Sequence, residues 1–221
     1  TGSLNESNVI QSATGTLTST DVDGTANLFT AQTGVAGNNG YGTFSMTTAG
    51  VWTYTMNTAH NEFVAGQVYT DSTIVTSADG TTQSILVQIY GTNDAPVVAA
   101  AIPDQTATLG VAYSYTVPAG TFSDPDGTLT YSATRGDGTA LPAWLTFDAA
   151  TRTFSGTPTS TIDFNVKVTA SDGTASISDT FLLALAPVAD SVAITSATGI
   201  QNNFLNAGDT ITATVNFSEL V

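Results

Sequence analysis

Short runs in which every second residue is apolar recur along the chain, separated by turn-forming residues. Phe44 and Met46 alternate with small polar residues, Thr48, Ala49 and Gly50 turn the chain, and Trp52, Tyr54 and Met56 alternate back. A period of two puts these side chains on one face of a strand pair, so the segment reads as a hairpin with one buried side. The same alternation marks Ile85, Val87 and Ile89, then Tyr113, Tyr115 and Val117, then Phe164, Val166 and Val168, then Phe181, Leu183 and Leu185. Residues 57–65 hold Ala, His, Glu and Phe without a β-branched run, and a short helical turn is expected there. The pattern predicts an all-β chain with Trp52, Tyr54, Val87, Tyr115, Trp144, Phe164, Val166 and Phe181 in its cores.

An internal repeat organises these strands. The segment GTLTSTDVDGTANLFTAQ (15–32) has the layout of AGTFSDPDGTLTYSAT (119–134): a strand, a D-x-D-G turn, a strand. TIVTSADGTTQSILVQI (73–89) likewise parallels VKVTASDGTASISDTFLLAL (166–185) across an Asp-Gly turn. The offset is about one hundred residues, the size of a seven-stranded sandwich. GTNDAPVV (91–98) ends one strand and restarts an extended segment, and LAPVADSV (185–192) does so again. The expected domains are therefore 1–96, 97–187 and a fragment, 188–221, too short to bury a core alone. Its strands are expected to be ordered only by docking on something else.

Composition narrows the function. The chain of 221 residues is 41% hydrophobic but only 10% charged, with 18 acidic residues against 3 basic ones and a net charge of −15. Arg135, Arg152 and Lys167 are too few to neutralise a phosphate backbone, so nucleic acid is not a partner. No apolar run is long enough for a transmembrane helix, and membrane insertion of this segment is not expected. Without cysteine there is neither a disulfide nor a thiolate site. The scarcity of Lys, Arg and Glu disfavours long helices, while abundant Thr, Val, Ile, Tyr and Phe favour strands.

The acids gather at turns and junctions. Two Asp separated by one residue in a turn aim both carboxylates at one point, which is repulsive unless a cation sits there. Calcium takes six to eight oxygen ligands of this kind. The alternative is that D-G and D-x-D-G are favoured turn sequences and nothing more. Asp137-Gly138 reads as such a turn, and Asp71, Asp148, Asp163 and Asp179 read as solvated strand ends or turns.

GTLTSTDVDG, YGTFSMTTAGVWTYTM and VTSADGTTQSILVQIYGTNDAPVV together resemble a VCBS repeat over residues 1–96. IPDQTATLGVAYSYTVPAGTFSDPDGTLTYSAT, LPAWLTFDAATRTFSGTP and VTASDGTASISDTFLL resemble the dystroglycan-type cadherin-like (He-PIG) domain over 97–187. DSVAITSATGIQNNFLNAGDTITATVNFSE, from 190 on, is similar to the start of a bacterial Ig-like adhesin repeat. The succession resembles large RTX-type adhesins, which implies tandem antiparallel sandwiches, an extracellular or cell-surface address reached by type I secretion, a monomer, and a segment of something longer. It also implies calcium. By the cadherin pattern Asn93 and Asp94 form the linker, Asp124 and Asp126 the D-x-D, Asp172 the late Asp, and Glu6 the early acid. Asp21, Asp23 and Asp79 repeat the receiving half of such a site. The implied partners are neighbouring repeats of the same adhesin and, for the parent protein, a surface carbohydrate or protein.

No enzyme is expected. His60 has no nucleophile elbow to serve, and paired turn acids sharing one cation make a poor general acid and base. Trp52 and Trp144 read as core rather than sugar platforms, and Arg135-Gly136-Asp137 as a chance integrin-type tripeptide. A calcium-stiffened spacer is the leading reading. A sandwich that binds carbohydrate or protein itself, or an accessory module of a secreted polysaccharide hydrolase, is the alternative.

Overall fold

The alternating segments fold as strands. A computed structural model describes residues 1–20, 27–198 and 210–217, and these contain strands and turns but no helix. Residues 57–65 therefore form turns where a helical turn was expected. His60 stands at φ 58°, a left-handed value that stops helical winding. The Phe63 N–H closes a turn on the His60 carbonyl at 2.9 Å. The chain is all-β, and it divides into two compact units, residues 1–96 with 124–128, and residues 97–123 with 129–221.

The first unit contains β1 (Gly2–Asn5), β2 (Ser12–Thr16), β3 (Gln32–Ala36), β4 (Gly42–Met46), β5 (Val51–Met56), β6 (Val68–Thr76) and β7 (Thr82–Tyr90). One sheet has the order β1-β7-β6 and the other β2-β5-β4-β3. Strand β1 runs parallel to β7, while the remaining pairs are antiparallel. The buried phase of each alternation meets in one core: Phe44, Met46, Trp52, Tyr54 and Met56 from one sheet, Val75, Ile85, Val87 and Ile89 from the other. Each such side chain contributes about 1.5–3 kcal/mol by leaving water.

Asp71, in β6, is not a solvated strand end. It is fully buried. Its Oδ1 accepts the main-chain N–H groups of Asn39 at 2.9 Å and Ser72 at 3.0 Å. Its Oδ2 accepts those of Tyr41 and Gly42 and the Tyr54 phenol, each at 3.1 Å. Gly37 makes room, since a Cβ there would overlap the carboxylate. The Tyr54 phenol is in turn held protonated well above its ordinary range, first by burial and then by the Asp71 charge.

The second unit contains β8 (Val97–Val98), β9 (Gln105–Thr108), β10 (Tyr113–Thr116), β11 (Phe122–Ser123), β12 (Thr130–Arg135), β13 (Leu145–Asp148), β14 (Thr153–Gly156), β15 (Phe164–Ser171), β16 (Ser176–Ala186), β17 (Ala189–Thr198) and β18 (Thr210–Phe217). Its larger sheet has the order β12-β15-β16-β9, facing β10-β14-β13, with β8 and β11 paired separately. Phe154, Val166, Val168, Phe181 and Leu183 fill the core. Tyr115, Trp144 and Phe164, expected inside, are only partly buried and pack against that core. Strand β17 pairs with β18, and β18 is exposed along its whole length. Within this pair each strand supplies the other's hydrogen bonds.

Candidate metal centre

In the first unit, the parallel pairing of β1 with β7 carries Glu6 to the end of β7. The Glu6 N–H donates to the Tyr90 carbonyl at 2.8 Å, extending the ladder by one residue. Thr92 then fixes one carboxylate oxygen. Its N–H and its hydroxyl donate to Glu6 Oε2 at 3.2 and 2.8 Å. Glu6 is 1% exposed, yet Oε1 has no hydrogen-bond partner.

Two residues on, Asp94 is 3% exposed. Its N–H donates to Asp126 Oδ1 at 3.3 Å, and its own Oδ2 is buried without a partner. The Asn93 amide folds back on the Asp94 carbonyl at 3.0 Å. Asp124 Oδ1 accepts the N–H groups of Asp126 at 3.2 Å and Gly127 at 2.9 Å. That is an Asx turn, and it leaves Asp124 Oδ2 buried and unpartnered. The segment 124–128 groups with the first unit, so Glu6, Asp94, Asp124 and Asp126 belong to one constellation.

The electrostatics follow from that gathering. Burial first, then the charges of Glu6, Asp126 and Asp124, raise the Asp94 carboxyl above its ordinary range. Asp126 is raised too, by burial first and next by its contact with the Asp124 carboxyl, while the N–H groups of Asp94 and Ala65 oppose the shift. An orphaned buried oxygen costs about 1–3 kcal/mol, and more when it is charged. The donors are all hard oxygens, the set that suits calcium and not a thiolate-seeking or imidazole-seeking metal. Among the described residues, no three or more His, Cys, Asp or Glu side chains are placed so as to hold a metal ion, so an ion would have to draw these oxygens closer together.

The other expected ligands are placed differently. Asp79 lies in an exposed turn, where Oδ1 accepts the Ser77 hydroxyl and, at 3.0 Å, the Thr81 N–H. Those bonds, led by the Ser77 hydroxyl, lower its carboxyl below the usual range. Asp172 belongs to the second unit, in the turn between β15 and β16, where Oδ1 accepts the N–H groups of Thr174 and Ala175 at 2.6 Å each. Asp21 and Asp23 lie outside the described residues.

Two supporting residues escaped the sequence reading. Thr92 holds Glu6, and the 57–66 turns deliver the Ala65 N–H to Asp126. Those turns are pinned by aromatic rings: Phe63 stacks on Tyr69 at 3.8 Å and on His60 at 4.7 Å between centroids. His60 is itself held from both ring nitrogens, Nδ1 with Glu62 at 2.7 Å and Nε2 with the Tyr41 carbonyl at 3.0 Å. The lone histidine is a structural clamp, and its bond lowers the Glu62 carboxyl below its ordinary range.

With the geometry in hand, comparison with known proteins places the fold. A model of the family He_PIG, "Putative Ig domain", matches residues 95–186. The chain is similar to the extracellular domain of protocadherin gammaB4, at 13% identity and a TM-score of 0.53 over 98% of this chain and 39% of that one. It is similar as well to protocadherin gamma B7 extracellular cadherin domains 1–4, at 16% identity and 0.53 over 99% of this chain and 58% of that one. An endo-fucoidan hydrolase of glycoside hydrolase family 107 is matched at 18% identity and a TM-score of 0.35, over 83% of this chain and 27% of that one. The last likeness is too weak to carry an argument. The chain thus spans less than two thirds of these solved structures, and the likeness is one of Ig-like and cadherin-like sandwich fold. Comparison with curated protein sequences finds no match.

Proposed function

We propose that this chain is a calcium-stiffened segment of a large extracellular adhesin, one stretch of a tandem series of β-sandwich modules that holds a distal binding region away from the cell. In this reading the parent is of RTX type with VCBS-like repeats, leaves the cell by type I secretion and serves surface attachment or biofilm formation. The observation that carries the calcium assignment is the set of buried, unpartnered oxygens on Glu6, Asp94 and Asp124. Glu6, Asn93, Asp94, Asp124 and Asp126 would hold the ion, with Asp172 from the second unit as a further donor. Asp21, Asp23 and Asp79 would serve a preceding module.

What the ion supplies is positive charge where the chain has none. The protein's part is to hold Glu6 by Thr92 and Asp124 by its own turn, which leaves one oxygen of each free for the ion. The linker 92–96 is too short to form structure of its own, and separately cored domains joined by such a linker move unless tied. Coordination by residues on both sides of the linker supplies the tie. Affinity in the range of extracellular modules, about 10⁻⁴–10⁻³ M, would leave the joint loose where calcium is scarce and stiff outside the cell.

The test is calcium titration calorimetry with thermal unfolding, on the chain and on Asp94→Asn and Asp124→Ala. Calcium at about a hundred times its dissociation constant should add about 2.7 kcal/mol of stability. Both variants should bind much less and gain little. Small-angle scattering should show a longer, stiffer particle with calcium than with chelator. Equal melting temperatures and equal scattering in calcium and chelator would sink the proposal.

A further inference from the structure

The second unit holds a cavity of about 300 Å³ whose lining includes Arg135, Pro142, Trp144, Ser160, Ile162 and Phe164. Its position follows from the strand register. Arg135 ends β12 opposite Val166, while Thr130 at the other end pairs with Ser171, beside the Asp172 turn. The cavity therefore lies at the end of this sheet remote from Asp172. A smaller hollow of about 200 Å³ adjoins it, sharing Arg135 and Phe164 and adding Gly136, Asp137 and Asn165.

The anomaly is the arginine. In a chain of 18 acids and 3 bases, an arginine beside an aspartate would be expected to pair with it. Asp137 instead turns Oδ1 to the N–H and hydroxyl of Thr139, at 2.9 and 2.6 Å. The Arg135 guanidinium lies over the Phe164 ring, 4.8 Å from its centroid, and among the described residues no carboxylate forms a salt bridge with it. Among those residues the Trp144 indole N–H and the Asn165 carboxamide also lack a protein hydrogen-bond partner. Trp144 meets the edge of Phe164 at 6.2 Å and 74° and is only partly buried. Three unspent polar groups thus line two adjoining hollows that share Arg135 and the Phe164 ring, the usual anatomy of a small-molecule site.

The groups select the ligand. A guanidinium fixed over a ring keeps its edge N–H groups free for two parallel bonds to a carboxylate. Indole and phenyl faces accept the apolar face of a saturated ring, and the indole N–H, the amide and the Ser160 hydroxyl suit a rim of hydroxyls. A neutral sugar would leave the arginine unused. A phosphate polymer would meet the −15 net charge over its whole length, whereas a short acid is screened from charges beyond about 8 Å at physiological salt. We propose that this hollow is a binding site for a carboxylate-bearing pyranose, a hexuronate residue of an acidic polysaccharide, with Arg135 on the carboxylate and Trp144 on the ring face. The site is separate from the proposed calcium centre, and neither reading depends on the other.

Nuclear magnetic resonance titration of the full chain tests it, in chelator so that no cation bridges carboxylates. The probes are trigalacturonate, neutral maltotriose and a tri-glutamate peptide. Trigalacturonate should shift the Trp144 indole and the Gly136 and Asn165 amides saturably, with maltotriose and tri-glutamate at least about tenfold weaker. Arg135→Gln, which removes a charge-assisted bond at the surface, should cost at least about tenfold in affinity, as should Trp144→Ala. Arg135→Gln should leave the rest of the spectrum in place, which guards against misfolding of the Trp144 variant. No saturable shift by about 10 mM trigalacturonate, equal binding of maltotriose or tri-glutamate, or full affinity in Arg135→Gln would each overturn the assignment.

Discussion

Replacing Asp71 by asparagine should be among the most damaging single-atom changes available in the first unit. The carboxylate accepts five hydrogen bonds, from the N–H groups of Asn39, Tyr41, Gly42 and Ser72 and from the Tyr54 phenol. An asparagine keeps the shape but must aim an NH₂ at one of those two sets. With the amide nitrogen in place of Oδ1, the Asn39 and Ser72 N–H groups lose their acceptor and face a donor. Each buried orphan costs about 1–3 kcal/mol, and the bonds that survive lose their charge assistance. The expected loss is about 3–5 kcal/mol, a large part of the stability of one domain. At about 4–8 °C per kcal/mol for a unit of this size, the melting point should fall by at least about 12 °C. Urea unfolding followed by Trp52 fluorescence in a Trp144→Phe background isolates the first unit, because Trp52 lies in that unit's core. Gly37→Ala should produce a comparable loss from the other side, since its Cβ would displace the same carboxylate. A loss below about 1 kcal/mol for Asp71→Asn would refute the reasoning, because the five bonds would then be worth no more than bonds to water.

Two further outcomes are expected. Phe63→Ala removes the ring stacked between Tyr69 and His60. It should cost about 3–5 kcal/mol in thermal unfolding, and should also weaken calcium binding in titration calorimetry, because the same turns present the Ala65 N–H to Asp126. The acid side of the stability curve in chelator should carry the mark of Asp94 and Asp126. Their carboxyls are raised in the folded chain, so the folded state binds protons more tightly than the unfolded one. Their contribution is therefore greatest at acid pH and is lost as pH rises through the raised values. Asp94→Asn should flatten that fall in melting temperature above the ordinary carboxylate range, and saturating calcium should abolish it. An unchanged pH profile in the variant would contradict the assigned repulsion.

What the sequence made legible is what the side-chain period encodes. Trp52, Tyr54, Val87, Val166 and Phe181 are buried because alternation fixes a face and the face fixes a core. The misreadings share a cause, which is dependence on partners remote in the chain. Asp71 looks like a strand-edge acid because its acceptor role is set by residues 39–42, about thirty positions away. Residues 57–65 look helical by composition, but the rings of Tyr41 and Tyr69 pack on Phe63 and hold the segment in turns. Phe164 alternates with Val166 and Val168 as core residues do, and Trp144 is apolar and bulky, yet both are only partly buried and pack on the outside of the core. Spacing also fails to separate the acids among themselves. Asp79, Asp124 and Asp172 all precede Gly-containing turns, and each caps its own turn. Only Asp124 is found with a buried oxygen left without a partner.

The contrast between Asp71 and the Glu6–Asp94–Asp124 group shows how a chain so poor in bases handles buried acid. With 3 basic residues against 18 acidic ones, ion pairing cannot be the general solution, and among the described residues the only such contact is His60 with Glu62. One remedy is to surround a carboxylate with main-chain N–H groups, as at Asp71, where both oxygens are in use. That remedy consumes backbone donors, and the junction has few to give: Thr92 serves one oxygen of Glu6, and the Asx turn serves one oxygen of Asp124. The oxygens that remain have two ways to be neutralised. Protons are one, and the raised carboxyls of Asp94 and Asp126 show the site leaning that way. Near neutral pH free protons are scarce, and each one cancels a single charge while using only one oxygen. A divalent cation cancels two charges and needs many oxygens at once, so it rewards the very clustering that repulsion penalises. The strands that hold Glu6 and the turn that holds Asp124 keep the acids together in the ion's absence at the expense of stability. It follows that calcium should gain most in the chain as it stands, and least in variants that relieve the repulsion beforehand.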